Sequence, residues 1–344
     1  MSAVQQMDST TLFNLITNAR WMVPIACAAP LYVQDLPMHM PSKVRTRRRR
    51  RFKVTIVGLL IVILSVGARG AQSDTVIDSR FFTTSDHVRL HYLEAGRGAT
   101  LVFVPGWTMP AQIWIPQIRY LAPQFHVVAL DPRAQGESQV AASGYDSERR
   151  ARDIKELLDA LHLDAMVLVG WSLGVLESLT YVRLFGTDHL NALVLIDNSV
   201  GEEPPPSFDP TFLERLQRDR RATTEQFVRG MYRSSQSEAY YRHIIDQALK
   251  TPTDAAVKLL QSPYPRQMWR EILHSVDKPA LYVVTARFKE QALNLKRSRP
   301  NVQVAVFEDA GHALFVDEPE RFNRLLEAFI DKISHRKAPA TSAR

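Results

Sequence analysis

From residue 80 onward the apolar positions change period in a regular way. Residues 80–84 and 88–95 alternate apolar with polar and are split by Ser85-Asp86-His87, the pattern of an antiparallel hairpin. Residues 100–104 are continuously apolar, as a strand covered on both faces must be. A helical spacing follows over 114–121, then a buried strand over 125–130 and a helix over 147–161, whose stripe is Ile154, Leu157, Leu158 and Leu161. The same alternation continues with a strand at 166–169, a helix at 175–185 and a strand at 191–197. It stops at Glu202-Glu203-Pro204-Pro205-Pro206, beyond which 209–276 reads as helical and charged, with aromatic residues interspersed. Strand and helix then alternate again at 280–285, 290–297, 302–307 and 318–333. This rhythm predicts an α/β fold, a mostly parallel twisted sheet with helices on both faces, interrupted by a helical insertion over the C-terminal edge of the sheet. The expected division is 1–71 as an extension plus export signal, 72–200 and 277–335 as the core, 201–276 as a helical cap and 336–344 as an unstructured tail.

One stretch carries the chemistry. Met166-Val167-Leu168-Val169 runs directly into Gly170-Trp171-Ser172-Leu173-Gly174 and then into a helix. A sharp strand-to-helix turn of this kind exposes the central serine hydroxyl, and the flanking glycines allow strand and helix to approach closely. The amides at the start of the following helix face the same space.

The element order, Gly170 to Gly174, the Pro105-Gly106-Trp107 loop, the Asp131-Pro132-Arg133-Ala134-Gln135-Gly136-Glu137-Ser138 loop and the late Gly311-His312 together resemble the α/β-hydrolase superfamily over roughly residues 80–335. Within it the chain is most similar to small serine esterases such as the pimeloyl-carrier-protein methyl ester esterases and to the cofactor-free haloperoxidases. The resemblance implies an α/β-hydrolase fold with a cap. It also implies a Ser…acid…His order that Ser172, Asp197 and His312 satisfy.

A serine needs an adjacent base, and His312, directly after the last strand, is the candidate. His91, His126, His162 and His189 fall in strands or at helix ends and read as structural or solvated. The orienting carboxylate departs from the commonest family position, where Phe288 stands; Asp197 at the end of the preceding strand is favoured, with Glu290 and Asp309 behind it. The backbone amides of Trp107 and Leu173 are the expected oxyanion donors. Trp114, Trp171 and Trp269, with Trp107, are candidates for an apolar substrate pocket, although each also suits core packing. Asp131 is expected to pair with Arg133 or to cap backbone amides in a loop that supports the site.

Composition changes the picture mainly at the front end. The chain of 344 residues carries a formal charge of +7. Residues 1–70 hold ten Lys/Arg and two acids, which leaves 33 basic and 34 acidic residues beyond, about −1 net, so no nucleic-acid partner is implied. The basic tract 47–53, the apolar run 54–68 and the small residues Ala68 and Gly70 read as an export signal over residues 43–70, with an uncleaved membrane anchor as the alternative. A start at Met38 or Met40 would suit that signal better than Met1. The single cysteine, Cys27, lies ahead of it, so a mature domain would have no disulfide.

Ser172 in place of a carboxylate argues against the alkyl-enzyme chemistry of dehalogenases and epoxide hydrolases. It points to hydrolysis of a small, apolar carboxylic ester, thioester or lactone through an acyl-enzyme. An acyltransferase with the same triad, or a non-catalytic binding protein on this fold, is the alternative. No cofactor or metal is expected, because the chain shows no dinucleotide fingerprint, phosphate loop or metal-ligand spacing. Substrate identity and oligomeric state are open.

Overall fold

The computed structural model describes residues 75–337, with side chains to residue 333. The expected extension and export signal over 1–71 lie outside the described residues, as do Cys27 and residues 338–344. Eight strands form one sheet: β1 (Asp78–Thr83), β2 (Arg89–Ala95), β3 (Thr100–Val104), β4 (His126–Asp131), β5 (Met166–Trp171), β6 (Leu190–Ile196), β7 (Ala280–Thr285) and β8 (Gln303–Phe307). Their order is β1-β2-β4-β3-β5-β6-β7-β8. β1 and β2 are antiparallel, β2 joins β4 antiparallel, and every later pairing is parallel. The expected hairpin and parallel sheet are therefore both present.

The continuous apolar runs have a plain cause, since β3, β5 and β7 are buried at every position. Their alternate residues feed two cores. Val102, Val104, Leu168, Leu193 and Tyr282 point to one face, beneath α2 (Ser147–Ala160) and α3 (Leu173–Phe185). Leu101, Phe103, Val167, Val194 and Val283 point to the other, beneath α1 (Ile115–Leu121) and a later helix. A strand with both faces covered has no polar side to show, so its sequence loses the two-residue alternation of a half-exposed strand.

The segment between β6 and β7 folds as five helices: α4 (Phe212–Arg218), α5 (Arg220–Gly230), α6 (Glu238–Leu249), α7 (Thr253–Leu259) and α8 (Arg266–Ser275). Side-chain caps start two of them, Asp219 accepting from the Ala222 amide and Ser237 from the Tyr240 amide. These helices lie against the loops at the C-terminal edge of the sheet. Trp107 Nε1 donates to the Ala256 carbonyl at 2.8 Å, Thr251 Oγ1 to the Ala134 carbonyl at 2.6 Å, and His243 meets Gln112 at 2.7 Å. After β7 come α9 (Lys289–Ser298), β8, a short α10 (Leu314–Asp317) and α11 (Pro319–Lys337), the second helix over the Leu101 face. The last helix thus carries regular structure two residues into the stretch expected to be a tail. Among the described residues no helix is long and apolar enough to cross a membrane.

Candidate active site

Ser172 sits between β5 and α3 with φ 55° and ψ −120°, a left-handed conformation that a side chain tolerates only when its surroundings impose it. Three contacts impose it here. The Ser172 amide donates to the Ile196 carbonyl at 2.9 Å, its carbonyl accepts from the Val175 amide at 3.0 Å, and Asn198 Nδ2 donates to the same carbonyl at 2.8 Å. The flanking glycines are forced by packing. A Cβ on Gly174 would come within 2.4 Å of the Val104 carbonyl, and one on Gly170 within 2.3 Å of the Gly174 carbonyl.

His312 leaves the loop after β8 and reaches back to the elbow. Its Nε2 lies 2.9 Å from Ser172 Oγ, and its Nδ1 lies 2.8 Å from Asp197 Oδ2. A carboxylate only accepts, so Nδ1 carries the proton and Nε2 is left to accept from the serine hydroxyl. Asp197 follows β6, has φ 48°, and is 2% exposed. Its other oxygen, Oδ1, accepts from the Thr285 amide at 2.7 Å and from Thr285 Oγ1 at 2.9 Å, so β7 aims the acid from the neighbouring strand end. Glu290, by contrast, is exposed in the first turn of α9, and Asp309 is exposed after β8. Neither is the residue that meets His312.

His312 is also held from behind. Trp171 Nε1 donates to the His312 carbonyl at 2.9 Å, with the two rings 5.2 Å apart. Asp317 gathers three backbone amides: Oδ2 accepts from Gly311 at 2.7 Å and from Arg233 at 2.8 Å, and Oδ1 from Ser234 at 3.0 Å. The Ala313 amide donates to the Met231 carbonyl at 2.9 Å. The histidine loop and the α5–α6 connection are therefore tied on both sides of His312.

The two expected oxyanion donors flank the serine. Leu173 is the first residue of α3, so its amide has no carbonyl beneath it in the helix. Gly106, one residue before Trp107, lies so close that a Cβ there would meet Ser172 Cβ at 2.8 Å. Gln135 fixes that loop, its Nε2 donating to the carbonyls of Gly106 at 3.0 Å and Met109 at 2.8 Å. Between α2 and α3, Glu177 and Arg150 face each other at 2.7 Å, almost wholly buried. Burial disfavours charge on both, lowering Arg150 and pushing the Glu177 carboxyl up to about 7.

The four candidate pocket tryptophans separate by position. Trp107 and Trp171 adjoin Ser172 through its loop and its strand. The Trp107 ring packs edge-on against Phe212 and Phe227 of the insertion, at 5.6 and 5.1 Å. Trp114 is stacked on Phe315 at 3.9 Å behind Trp171, and Trp269 packs edge-on against Tyr264 of the insertion at 5.6 Å. All four are buried in the core, so none presents an exposed pocket wall. Asp131 does not pair with Arg133: that guanidinium is taken by Asp153 at 2.6 Å and Asp86 at 3.0 Å. Asp131 instead caps the amides of Ala111 and Glu137.

Sequence reasoning missed Thr285, Asn198, Gln135, Asp317 and the Trp171 hydrogen bond. None has a local signal, since each acts on a residue distant in the chain or through a backbone group.

A family model described as the α/β hydrolase fold matches residues 99–319. The chain is 25% identical over 283 residues to a non-heme chloroperoxidase of Kitasatospora aureofaciens, covering 73% of this chain and 98% of the relative. It is 26% identical over 268 residues to a pimeloyl-[acyl-carrier protein] methyl ester esterase of Vibrio atlanticus, covering 71% and 98%. Among solved structures, a putative aryl esterase from Burkholderia cenocepacia superposes with a TM-score of 0.68 at 22% identity, over 75% of this chain and all of that one. That likeness speaks for the fold alone.

Proposed function

Because the chain belongs to the α/β-hydrolase fold family, whose match spans residues 99–319, we propose that it is a serine hydrolase cleaving a carboxylic ester, thioester or lactone through an acyl-enzyme on Ser172. The single observation that carries this reading is the unbroken chain Ser172–His312–Asp197, at 2.9 and 2.8 Å, ending on a strained serine.

In the proposed reaction Ser172 Oγ attacks the carbonyl carbon while His312 Nε2 takes the hydroxyl proton. Asp197 fixes the ring and stabilises the imidazolium that forms. The amides of Leu173 and Trp107 receive the oxyanion, a role worth about 3–4 kcal/mol per donor in comparable sites. His312 then returns its proton to the leaving alkoxide. A water deprotonated by the same nitrogen attacks the acyl-enzyme, releasing the acid and restoring Ser172.

A serine rather than a carboxylate at the elbow favours acyl chemistry over alkyl-enzyme chemistry. The apolar cluster that Trp107 of the oxyanion loop forms with Phe212 and Phe227 of the insertion favours an apolar acyl or aryl group. We further propose, from the basic tract, apolar run and small residues over 43–70, that the protein is exported or anchored by that segment. The mature N-terminus, read by sequencing, tests that part separately.

For the activity, a p-nitrophenyl ester chain-length series on the full chain is compared with Ser172→Ala and His312→Ala. Each variant should lose about 10³-fold or more in kcat while melting like the parent. Wild-type protein that turns over no ester of any length defeats the proposal.

A further inference from the structure

A second serine–histidine–aspartate chain stands away from the elbow, at the antiparallel edge of the sheet. His91 Nε2 lies 2.8 Å from Ser79 Oγ, and His91 Nδ1 lies 2.7 Å from Asp131 Oδ2. These match the 2.9 and 2.8 Å of the Ser172 site. The register explains how the strands bring them together. Ser79 pairs with Leu93 and His91 with Phe81, so Ser79 and His91 are diagonal neighbours on one face of β1 and β2. His91 also lies opposite Asp131 across the β2–β4 ladder.

The protonation pattern is set by the acid. Asp131 is 1% exposed and its oxygens also accept from the Ala111 and Glu137 amides, so it offers only accepting capacity to the ring. Nδ1 must then donate, and Nε2 must accept from Ser79. His91 is likewise 1% exposed, with the Phe81 ring at 5.0 Å, whereas Ser79 is exposed. The arrangement is a buried, oriented base presenting its lone pair to an accessible hydroxyl. β1 is the last strand of the sheet, so alternate backbone amides along it are not used by a neighbouring strand.

We propose that Ser79, His91 and Asp131 form a second activated-serine site, one that accepts a small acyl group from an activated ester in solution. Ser79 Oγ bonds to the acyl carbon, the carbon–oxygen bond to the leaving group breaks, and the alkoxide departs. The serine proton passes to His91 Nε2 and from there to water. Ser79 lies on a regular strand rather than on an elbow at a helix N-terminus, so the acyl group stays on the serine and the site is modified once rather than turned over.

The test uses full-chain Ser172→Ala protein and p-nitrophenyl acetate, with acetylated serines located by peptide mass mapping. Ser85 is the internal control: it too is exposed, but its hydroxyl donates to Glu156 at 2.8 Å rather than to a histidine. Acetylation of Ser79 should be about 10²-fold faster than at Ser85, the scale of general-base assistance. Adding Ser79→Ala should abolish that modification, and His91→Gln should slow it to the Ser85 rate. Equal acetylation of Ser79 and Ser85 overturns the proposal, as does a folded His91→Gln protein that still modifies Ser79 at the parent rate. Should His91→Gln fail to fold, the Ser79-to-Ser85 ratio in the Ser172→Ala protein decides alone. Because Ser172 is absent throughout, the outcome is independent of the function proposed for it.

Discussion

Trp171 and His312 are joined through the backbone of one and the ring of the other: the indole N–H donates to the histidine carbonyl at 2.9 Å, and the ring planes are inclined at 43°. The residue immediately before Ser172 therefore positions the loop of His312, the proposed base. Trp171→Phe keeps an aromatic ring but removes the donor together with part of a fully buried indole packed on Trp114 and Phe315. A buried hydrogen bond contributes about 1 kcal/mol, so kcat should fall by up to about tenfold while the fold survives. Steady-state kinetics beside a thermal melt check this; an unchanged kcat would show that the loop holds His312 without the indole.

The choice between acids is decided by substitution. Asp197→Asn preserves shape, but it lets an amide face Nδ1 and favours the wrong tautomer of His312, which should cost about 10⁴-fold in kcat. Glu290→Gln, at an exposed helix start, should leave ester hydrolysis within twofold (about the scatter of such assays). Loss of activity at Glu290 with Asp197→Asn spared would reverse the assignment.

Gly106→Ala asks whether the oxyanion loop tolerates any side chain. The new Cβ would lie 2.8 Å from Ser172 Cβ and 3.3 Å from its Oγ. The loop must shift, and a displaced donor should cost about 10²-fold or more in kcat. Far-ultraviolet dichroism should be unchanged, and a fully active variant would remove the Trp107 amide from the proposed hole.

Arg133 supplies a pH test. Its buried guanidinium holds the Asp86 carboxyl down at about 2, chiefly by hydrogen bonding. A depressed folded value means the stabilisation is complete above the ordinary aspartate range and is lost as pH falls through about 4 towards 2. Asp86 is partly solvent-screened, so the effect is expected to be modest. Asp86→Asn should lower the urea midpoint at pH 7, and the gap to wild type should shrink below pH 4. A gap constant down to pH 2.5 would contradict it.

Asp317→Ala removes the acceptor shared by Gly311, Arg233 and Ser234. Two of the three bonds are exposed and one is half-buried, so water can replace the carboxylate and the cost is about 1 kcal/mol, or roughly 2–4 °C in Tm for a domain of this size. The loss of kcat should exceed any change in KM, because the residue affected next is His312. A melt and kinetics indistinguishable from wild type would make the clasp incidental.

What the sequence reveals and what it hides follow from how far each interaction reaches. β3 and the Ser172 elbow are legible because their causes lie within a few adjacent residues: an apolar run, two glycines, a helix start. The apolar stripe over 147–161 becomes α2 for the same reason. Asp197 was readable as a strand-end acid, but its grip by Thr285 was not, since 88 residues separate them. The helical insertion was evident from composition, yet its division into five helices was not, because those breaks depend on what each helix packs against. Of the two roles expected for Asp131, the structure has the amide cap and not the Arg133 pair. Its further partner, His91, lies on a strand 40 residues earlier and has no signal in the loop itself.

The clasp around Asp317 bears on how such proteins could be recombined. The insertion contributes Arg233, Ser234 and the Met231 carbonyl to the loop that bears His312, the proposed base, and a Cβ on Gly311 would strike that same carbonyl at 2.6 Å. A chimera that replaces the helices between β6 and β7 with those of another family member would exchange more than pocket walls: it would remove the anchor of His312. Grafted insertions should restore hydrolysis only when they bring two consecutive amides to Asp317 and leave room for a glycine, so substrate range and catalytic competence cannot be inherited from separate parents at this junction.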